Sequence, residues 1–204
     1  ARGLAVANKP DSYDICFIPE GDTQDWLNDK LGEKDGNIVD RSGNILGQHS
    51  GSHGFTIGQR KGLNIGRPAA DGKPRFVLEI RPKTNEVVVG SHAALAVVEL
   101  AGSRFTWCGS APADATVWFD ADVQVRAHAD PVPCQAALVD GEIVMKLREP
   151  LMGVAPGQTA VLYVGTRVLG QVTIDRTVSA VSVEDEQSSS ERVGARRTKM
   201  QPNG

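Results

Sequence analysis

Apolar and polar residues alternate along most of the chain after residue 36, which is the pattern of β-strands buried on one face. Two hairpins are predicted near the start of this region, from residues 37–39 with 45–47 and from residues 76–80 with 86–89. Gly43 lies in the first connecting turn, where a positive φ is favoured. We expect these hairpins to form a small β-rich domain.

More short strands are predicted in the second half of the chain. The candidates are residues 96–100, 104–107, 117–126, 134–139, 143–147, 160–164 and 168–174. The Asp140-Gly141 pair is a strong hairpin signal, and alternation near residue 125 places Gln124 and Arg126 on the outer face of their strand. This spacing favours a closed antiparallel barrel or a sandwich.

The first 35 residues have a different pattern. Residues 15–18 form a short apolar run that contains Cys16 and stops at a proline, which predicts a short buried strand. A helix is predicted to begin at Asp22 or Thr23 and to stop at Gly32. A cysteine in an apolar run is commonly an inert core residue, so this pattern alone leaves Cys16 either structural or reactive.

A glycine-punctuated segment, residues 53–66, separates the two hairpins and has glycine at every fourth position from Gly54 to Gly66. Many of the residues between are polar or basic, so we predict a loop whose backbone can approach a partner closely. Arg60 and Lys61 lie in this loop and are candidate RNA contacts. The segment does not match the Gly-Lys-Ser/Thr pattern of a phosphate-binding loop.

The composition is that of an ordinary globular protein, with 40% hydrophobic and 23% charged residues among 204. No uncharged apolar run approaches the roughly 18 residues of a membrane-spanning helix, and the first residues lack a signal-peptide pattern. Residues 36–92 contain eight basic and four acidic residues, an excess that suits either a polyanion or a solvated surface. Because the chain starts at Ala1 in mid-pattern, we expect it to be part of a longer protein.

The three cysteines, Cys16, Cys108 and Cys134, are too few and too scattered for a disulfide framework. They form no Cys-x-x-Cys pair, and the four histidines do not have zinc-finger spacing. We therefore expect free thiols in a reducing, cytoplasmic protein, with no bound metal and no membrane partner.

Five stretches carry a likeness to a known family: residues 11–18, 43–47, 55–63, 155–163 and 169–170. The most specific are the octet Asp-Ser-Tyr-Asp-Ile-Cys-Phe-Ile around Cys16 and the string Thr-Ile-Gly-Gln-Arg-Lys-Gly-Leu at 56–63. With these stretches in order, the chain resembles the C-terminal part of the bacterial tRNA-specific 2-thiouridylases, the MnmA or TrmU family. The likeness runs from about residue 9 to residue 174.

The reaction that this resemblance implies is ATP-dependent 2-thiolation of the wobble uridine of certain tRNAs. In the family, an N-terminal domain that binds ATP with Mg²⁺ adenylates the uridine O2, and a cysteine persulfide then delivers sulfur to C2. A second cysteine assists turnover through a transient disulfide, and a protein that carries a persulfide supplies the sulfur. Cys16 matches the persulfide cysteine. Since a free thiol is only a few per cent thiolate at pH 7, a nearby positive charge or N–H group would help it.

Two positions match tRNA contacts of the family. Arg126 matches an arginine, and Gln158 matches the glutamine of Pro-Gly-Gln at 156–158. The family often has an aromatic residue after the arginine, whereas Ala127 takes that place here and offers no ring for stacking. Without the resemblance, Arg126 would be interpreted as an exposed strand charge and Gln158 as a turn residue.

The departures from the family pattern limit the expected activity. The chain lacks the Ser-Gly-Gly-x-Asp-Ser loop of the ATP-binding domain and the family's other catalytic cysteine, and we interpret Cys108 and Cys134 as structural. We expect a sulfurtransferase fragment with one catalytic cysteine, tRNA-binding domains and no ATP site, inactive alone. The alternatives are a non-catalytic RNA-binding β module with a structural Cys16, and an anion-binding or translation-factor-like barrel unrelated to thiolation.

The expected fold class is mainly β. Residues 1–20 would end an α/β catalytic domain, 21–92 would form a helix and a small central β domain, and 93–180 a C-terminal antiparallel β-barrel. Residues 181–204 are polar and predicted to be a disordered tail.

Overall fold

Four strands form a mixed sheet in the computed structural model, which describes residues 30, 32–66 and 72–185. They are β1 (Gly36–Asp40), β2 (Ile45–His49), β3 (Phe76–Arg81) and β4 (Glu86–Gly90), in the order β2-β1-β4-β3. Both predicted hairpins are present as antiparallel pairs, β1 with β2 and β3 with β4. A parallel pairing of β1 with β4 joins them into one sheet.

Several predictions concern residues outside this description. The strand around Cys16, the predicted helix up to residue 31 (Lys30 apart) and residues 186–204 of the tail all lie outside the described residues. The chain from Lys34 onward forms one structural unit, which contains both sheets.

Residues 55–66 of the glycine-punctuated segment form a crossing loop, which spans the four-stranded sheet from one edge to the other. At the β3 edge, the Gly58 N–H donates to the Val77 carbonyl (2.8 Å), and the Val77 N–H donates to the Gln59 carbonyl (2.9 Å). At the β2 edge, the Gly66 N–H donates to the Leu46 carbonyl (3.3 Å). The loop side chains that pack into the core of this sheet are Phe55, Ile57, Leu63 and Ile65. The loop therefore covers apolar surface while its polar tip stays in solvent.

Eight further strands form an antiparallel sheet. They are β5 (Ala96–Gly102), β6 (Arg104–Trp107), β7 (Phe119–Gln124), β8 (Val132–Val139), β9 (Glu142–Met152), β10 (Thr159–Val164), β11 (Arg167–Thr173) and β12 (Arg176–Ser179). Their order is β12-β5-β9-β8-β7-β10-β11-β6. Short 3-10 helices at Ser52–Gly54 and His92–Leu95 precede the crossing loop and β5. All seven predicted strands are present, and the mainly β fold class is confirmed.

Two bends let the eight-stranded sheet curl back on itself. β5 continues into β6 across Ser103, and β11 continues into β12 within two residues, so that β6 pairs with β11 while β5 pairs with β12. Gly102 allows the close approach, because a Cβ there would overlap the Thr173 carbonyl oxygen. The hydrogen-bonded order runs openly from β12 to β6, so the sheet is not closed, as it would be in the closed barrel that was one of the two expected arrangements.

Asp175 stabilises the bend between β5 and β6. Its carboxylate accepts hydrogen bonds from the Ser103 N–H (2.8 Å), the Ser103 hydroxyl (2.9 Å) and Arg104 Nη2 (3.2 Å). These donors favour the charged form, and they lower the pKa of Asp175, with the Ser103 backbone bond as the largest cause.

Aliphatic side chains fill the interior of the eight-stranded sheet. The largest fully buried ones are Leu100, Ile143, Met145, Leu162 and Ile174. Burying each such side chain stabilises the fold by about 1.5–3 kcal/mol before entropy is counted. Cys134 belongs to this core and is 1% exposed.

Residues just beyond β12, where the predicted tail begins, make hydrogen bonds to the rest of the fold. The Ala180 N–H donates to the Ala96 carbonyl (2.7 Å), and Arg41 Nη1 donates to the Ser182 carbonyl (3.3 Å). Ser182 therefore contacts the β1–β2 turn, and the Asp185 N–H donates to the Ser182 hydroxyl (3.0 Å).

Candidate nucleic-acid interface

Arg126 lies in the turn after β7, two residues beyond the end of the strand at Gln124. The strand predicted at 117–126 is therefore too long at both ends, because the chain turns where the Ala129 N–H donates to the Arg126 carbonyl (3.1 Å). The Arg126 side chain is exposed, and its Nη2 donates to the backbone carbonyls of Met152 (3.3 Å) and Gly153 (3.0 Å). Its guanidinium thus rests against the loop between β9 and β10.

Gln158 lies in that same β9–β10 loop, directly before β10. Its Oε1 accepts a hydrogen bond from the Ala155 N–H (3.0 Å), and its own N–H donates to the Ala155 carbonyl (3.3 Å). The Gln158 carbonyl accepts from the Ile174 N–H (2.8 Å). The side-chain Oε1 therefore closes a turn, while Nε2 makes no hydrogen bond within the described part of the chain.

The structure brings these two predicted residues to one loop. Arg126 binds the carbonyl at Gly153, where the loop begins, and Gln158 closes its far end. The loop is shaped by Gly153 and Gly157, whose φ angles are 65° and 90°. A cation that rests against this partly exposed loop and an amide donor within it therefore lie at the same place.

Arg60 and Lys61 belong to the loop that crosses the four-stranded sheet. Both are exposed, and neither makes an ion pair within the described residues. The Gln59 side chain holds the loop just before them: its Oε1 accepts from the Thr56 N–H (3.0 Å), and its Nε2 donates to the Lys61 carbonyl (3.0 Å). No hydrogen bond among the described residues links this loop to Arg126.

The sequence pattern missed two residues that support the Arg126 turn. Gln124 Nε2 donates to the carbonyls of Ala127 (3.3 Å) and Ala129 (2.7 Å), and Gln124 Oε1 accepts from the Tyr163 hydroxyl (2.9 Å). The available signals were a glutamine at the end of β7 and the tyrosine near the end of β10.

The two described cysteines differ in environment. Burial raises the pKa of the Cys134 thiol to about 12, with smaller contributions from the carboxylates of Asp122 and Asp120. Cys134 is therefore not a thiolate at neutral pH and fits its structural interpretation. Cys108 is exposed instead of buried, and only its backbone takes part in sheet pairing, through a hydrogen bond to the Leu169 carbonyl (2.8 Å).

A cleft of about 350 Å³ lies between the two sheets. Three arginines, Arg41, Arg81 and Arg176, line it, but Arg81 pairs with Glu79 (2.9 Å), and Arg176 pairs with two glutamates (both 3.1 Å). These pairs neutralise most of the positive charge, so the cleft is a weaker candidate for an anionic partner than the Arg126 loop. Among the described residues, no group of three or more His, Cys, Asp and Glu side chains could hold a metal ion.

No helix within the described ranges is long and apolar enough to cross a membrane.

Comparison with known proteins identifies relatives of both β regions. A family model described as tRNA methyl transferase PRC-barrel domain matches residues 24–91, and one described as aminomethyltransferase beta-barrel domain matches residues 97–174. The chain is similar to the tRNA-specific 2-thiouridylase MnmA of Clavibacter sepedonicus, with 64% identity over 89% of this chain and 47% of the relative. The enzymes of the same name from Leifsonia xyli (62% identity, 90% of this chain and 50% of the relative) and Streptomyces avermitilis (54%, 89% and 48%) are also similar.

The chain spans about half the length of the curated relatives it matches, and that half is C-terminal. High identity across nearly the whole chain, together with the two domain matches, confirms the resemblance found in the sequence. The chain belongs to the tRNA-specific 2-thiouridylase family.

Proposed function

We propose that this chain is the part of a tRNA 2-thiouridylase that binds tRNA and carries, at Cys16, the cysteine that holds the transferred sulfur as a persulfide. The observation that carries the tRNA-binding proposal is the convergence of Arg126 and Gln158 on one partly exposed loop. The complete enzyme would use ATP to activate the wobble uridine and would form 2-thiouridine.

The Arg126 guanidinium is well suited to an RNA phosphate. Nη2 is held by two backbone carbonyls, while Nε and Nη1 make no hydrogen bond within the described residues. Carbonyl oxygens orient the planar group without neutralising its charge, so less side-chain entropy is lost when a phosphate binds. A phosphate contact of this kind fixes the position of an RNA and does not read its sequence.

Gln158 offers the second contact. Because Oε1 is occupied by the Ala155 N–H, the amide orientation is set and Nε2 is the group left to donate. Phosphate oxygens and ribose 2′-hydroxyl groups both accept such a donor. Arg60 and Lys61, exposed at the tip of the crossing loop, would add sequence-independent attraction to the phosphate backbone.

Sulfur transfer is assigned to Cys16 and to groups outside this chain. A persulfide-carrying protein would load Cys16, and a second cysteine outside this chain would release the product through a transient disulfide. ATP and Mg²⁺ would be held by an N-terminal ATP-binding domain, and no step of their chemistry is assigned to the described residues. We place the reaction in the cytoplasm, where such thiols stay reduced.

Persulfide trapping tests the catalytic half of the proposal. The chain, joined to the ATP-binding half of a thiouridylase, is incubated with a persulfide-donating sulfurtransferase, alkylated and analysed by mass spectrometry. One added sulfur is expected on Cys16, retained in Cys108→Ala and lost in Cys16→Ala. If Cys16 never carries a persulfide, the chain is a non-catalytic RNA-binding module.

Salt-dependent tRNA binding tests the other half. Arg126→Ala should weaken binding about tenfold, as expected for the loss of a charge-assisted hydrogen bond, and should reduce the slope of log K against log salt by about 0.7–0.9. Arg167→Ala is the matched control, since Arg167 is also exposed and donates to a backbone carbonyl, that of Ser110 (3.1 Å). Equal affinities of Arg126→Ala and the wild type would remove this contact.

A further inference from the structure

Gln124 joins the end of β7 to the turn that carries Arg126. Gln124 is the last residue of β7, and Nε2 donates to two carbonyls of the turn, at Ala127 and Ala129. Its Oε1 accepts the hydroxyl hydrogen of Tyr163, which lies on β10. One side chain therefore connects two neighbouring strands and the loop above them.

An amide matches this arrangement because it carries both a donor and an acceptor. The two carbonyl oxygens of the turn require donors, whereas the Tyr163 hydroxyl donates and requires an acceptor. A glutamate at position 124 would place carboxylate oxygens against carbonyl oxygens, and an apolar side chain would leave all three groups without their partner. The chemistry of the amide therefore fixes the shape of the turn.

The turn lies at the protein surface. Residues 126–130 are all exposed, so the turn buries no side chain in the core. Hydrogen bonds hold Arg126 from two sides: the Gln124 bonds hold the turn from the sheet side, and the Nη2 bonds hold the side chain against Gly153.

We infer that Gln124 and Tyr163 are positioning residues for RNA binding, which hold the turn so that the Arg126 guanidinium is presented beside the Gln158 loop before RNA arrives. The inference rests on the proposed function and deepens it. Gln124 and Tyr163 act through Arg126, because their polar atoms are already bonded to each other and to the turn. Loss of this support would let the cation move and would reduce its contribution to phosphate binding.

The test measures binding of an unmodified tRNA transcript with a wobble uridine to the chain, at several salt concentrations. Gln124→Ala should weaken binding about three- to tenfold and lower the salt slope, up to the loss of one phosphate contact. Tyr163→Phe removes a single hydroxyl and should weaken binding about two- to threefold. Gln171→Ala is the matched control, since Gln171 is exposed and pairs with Val161 from the opposite side to Gln124.

A double-mutant cycle distinguishes positioning from a general structural role. If Gln124 acts through Arg126, then Gln124→Ala should cause no further loss of tRNA affinity in an Arg126→Ala background. An equal loss in both backgrounds, or wild-type affinity of Gln124→Ala, overturns the inference. If Arg126→Ala binds tRNA as tightly as the wild type, the proposed Arg126 contact itself is wrong. Failure of the positioning role and failure of the contact are therefore distinguishable.

Folding is checked by thermal unfolding of each variant. Should Gln124→Ala fail to fold, the same cycle is carried out with Tyr163→Phe, which keeps the ring and all of its packing. Additive effects of Tyr163→Phe and Arg126→Ala would then refute the positioning role.

Discussion

Asn85 clamps the start of β1, and its replacement tests how this part of the fold is held. Asn85 is 5% exposed and has a φ of 55°, in the left-handed region. Its Nδ2 donates to the carbonyls of Lys34 and Asp35, both at 2.8 Å. Gly36 packs so closely against it that a Cβ there would overlap the Asn85 carbonyl oxygen. We predict that Asn85→Ala markedly destabilises this unit.

Two effects contribute to the predicted loss. Removing Nδ2 leaves two carbonyls without a protein partner; because Lys34 and Asp35 are themselves exposed, water replaces part of the interaction and we expect about 1–2 kcal/mol. Holding alanine in the left-handed region adds about 1–2 kcal/mol. The sum for Asn85→Ala is therefore about 2–4 kcal/mol. Asn85→Gly avoids the strain but adds about 0.5–1 kcal/mol of chain entropy, so it should be the milder variant.

Urea denaturation measures both variants against the wild type, with an unchanged m-value as the sign that the same surface unfolds. Hydrogen exchange at the Lys34 N–H, which donates to the Ser50 carbonyl (2.7 Å), reports the clamp locally and should be faster in both variants. If Asn85→Gly is as destabilising as Asn85→Ala, the argument from φ is wrong. If Asn85→Ala loses less than about 1 kcal/mol, the hydrogen bonds do not act as a clamp.

Three further predictions concern the bend of the larger sheet and the thiols. The pKa of Asp175 is lowered in the folded protein, so its contribution to stability is complete above its unfolded pKa of about 3.9 and is lost as pH falls through the folded value. Asp175→Asn should therefore lower Tm at pH 7 and flatten the decline of Tm in acid. Gly102→Ala should destabilise by more than about 3 kcal/mol because its Cβ overlaps backbone, whereas Gly66→Ala, with open space around it, should be nearly neutral in the same urea titration. Native Cys108 should react with a thiol reagent at neutral pH while Cys134 reacts only after unfolding, and simultaneous labelling of both would contradict the burial argument.

The local sequence pattern predicted where most strands lie, but it did not predict how they pair. Alternation and turn residues identified both early hairpins and seven of the eight later strands, all but β12, because these signals are set by neighbouring residues. The parallel pairing of β1 with β4 was not predictable in this way, since it depends on contacts between distant segments. β9 also continues to Met152, well beyond the apolar run that predicted it, because its pairing with β5 extends there.

The candidate site shows the same division. Arg126 and Gln158 were identified through the family resemblance, but their meeting at one loop is a consequence of the tertiary fold. Gln124 and Tyr163 were missed because an amide at the end of a strand has no distinctive pattern until its partners are placed. Cys16 lies outside the described residues, so its role remains a prediction from the resemblance.

The paired bends of the larger sheet impose an order on its folding during synthesis. Ser103 is bound by Asp175, 72 residues later in the chain, and β5 and β6 cannot obtain their β12 and β11 partners until that segment has emerged. Such distant pairings have high contact order and form slowly. Until they form, β6 has no partner strand on either edge and can associate with other chains. A nascent chain that stalls shortly before β11 would therefore be more prone to aggregation than the finished protein.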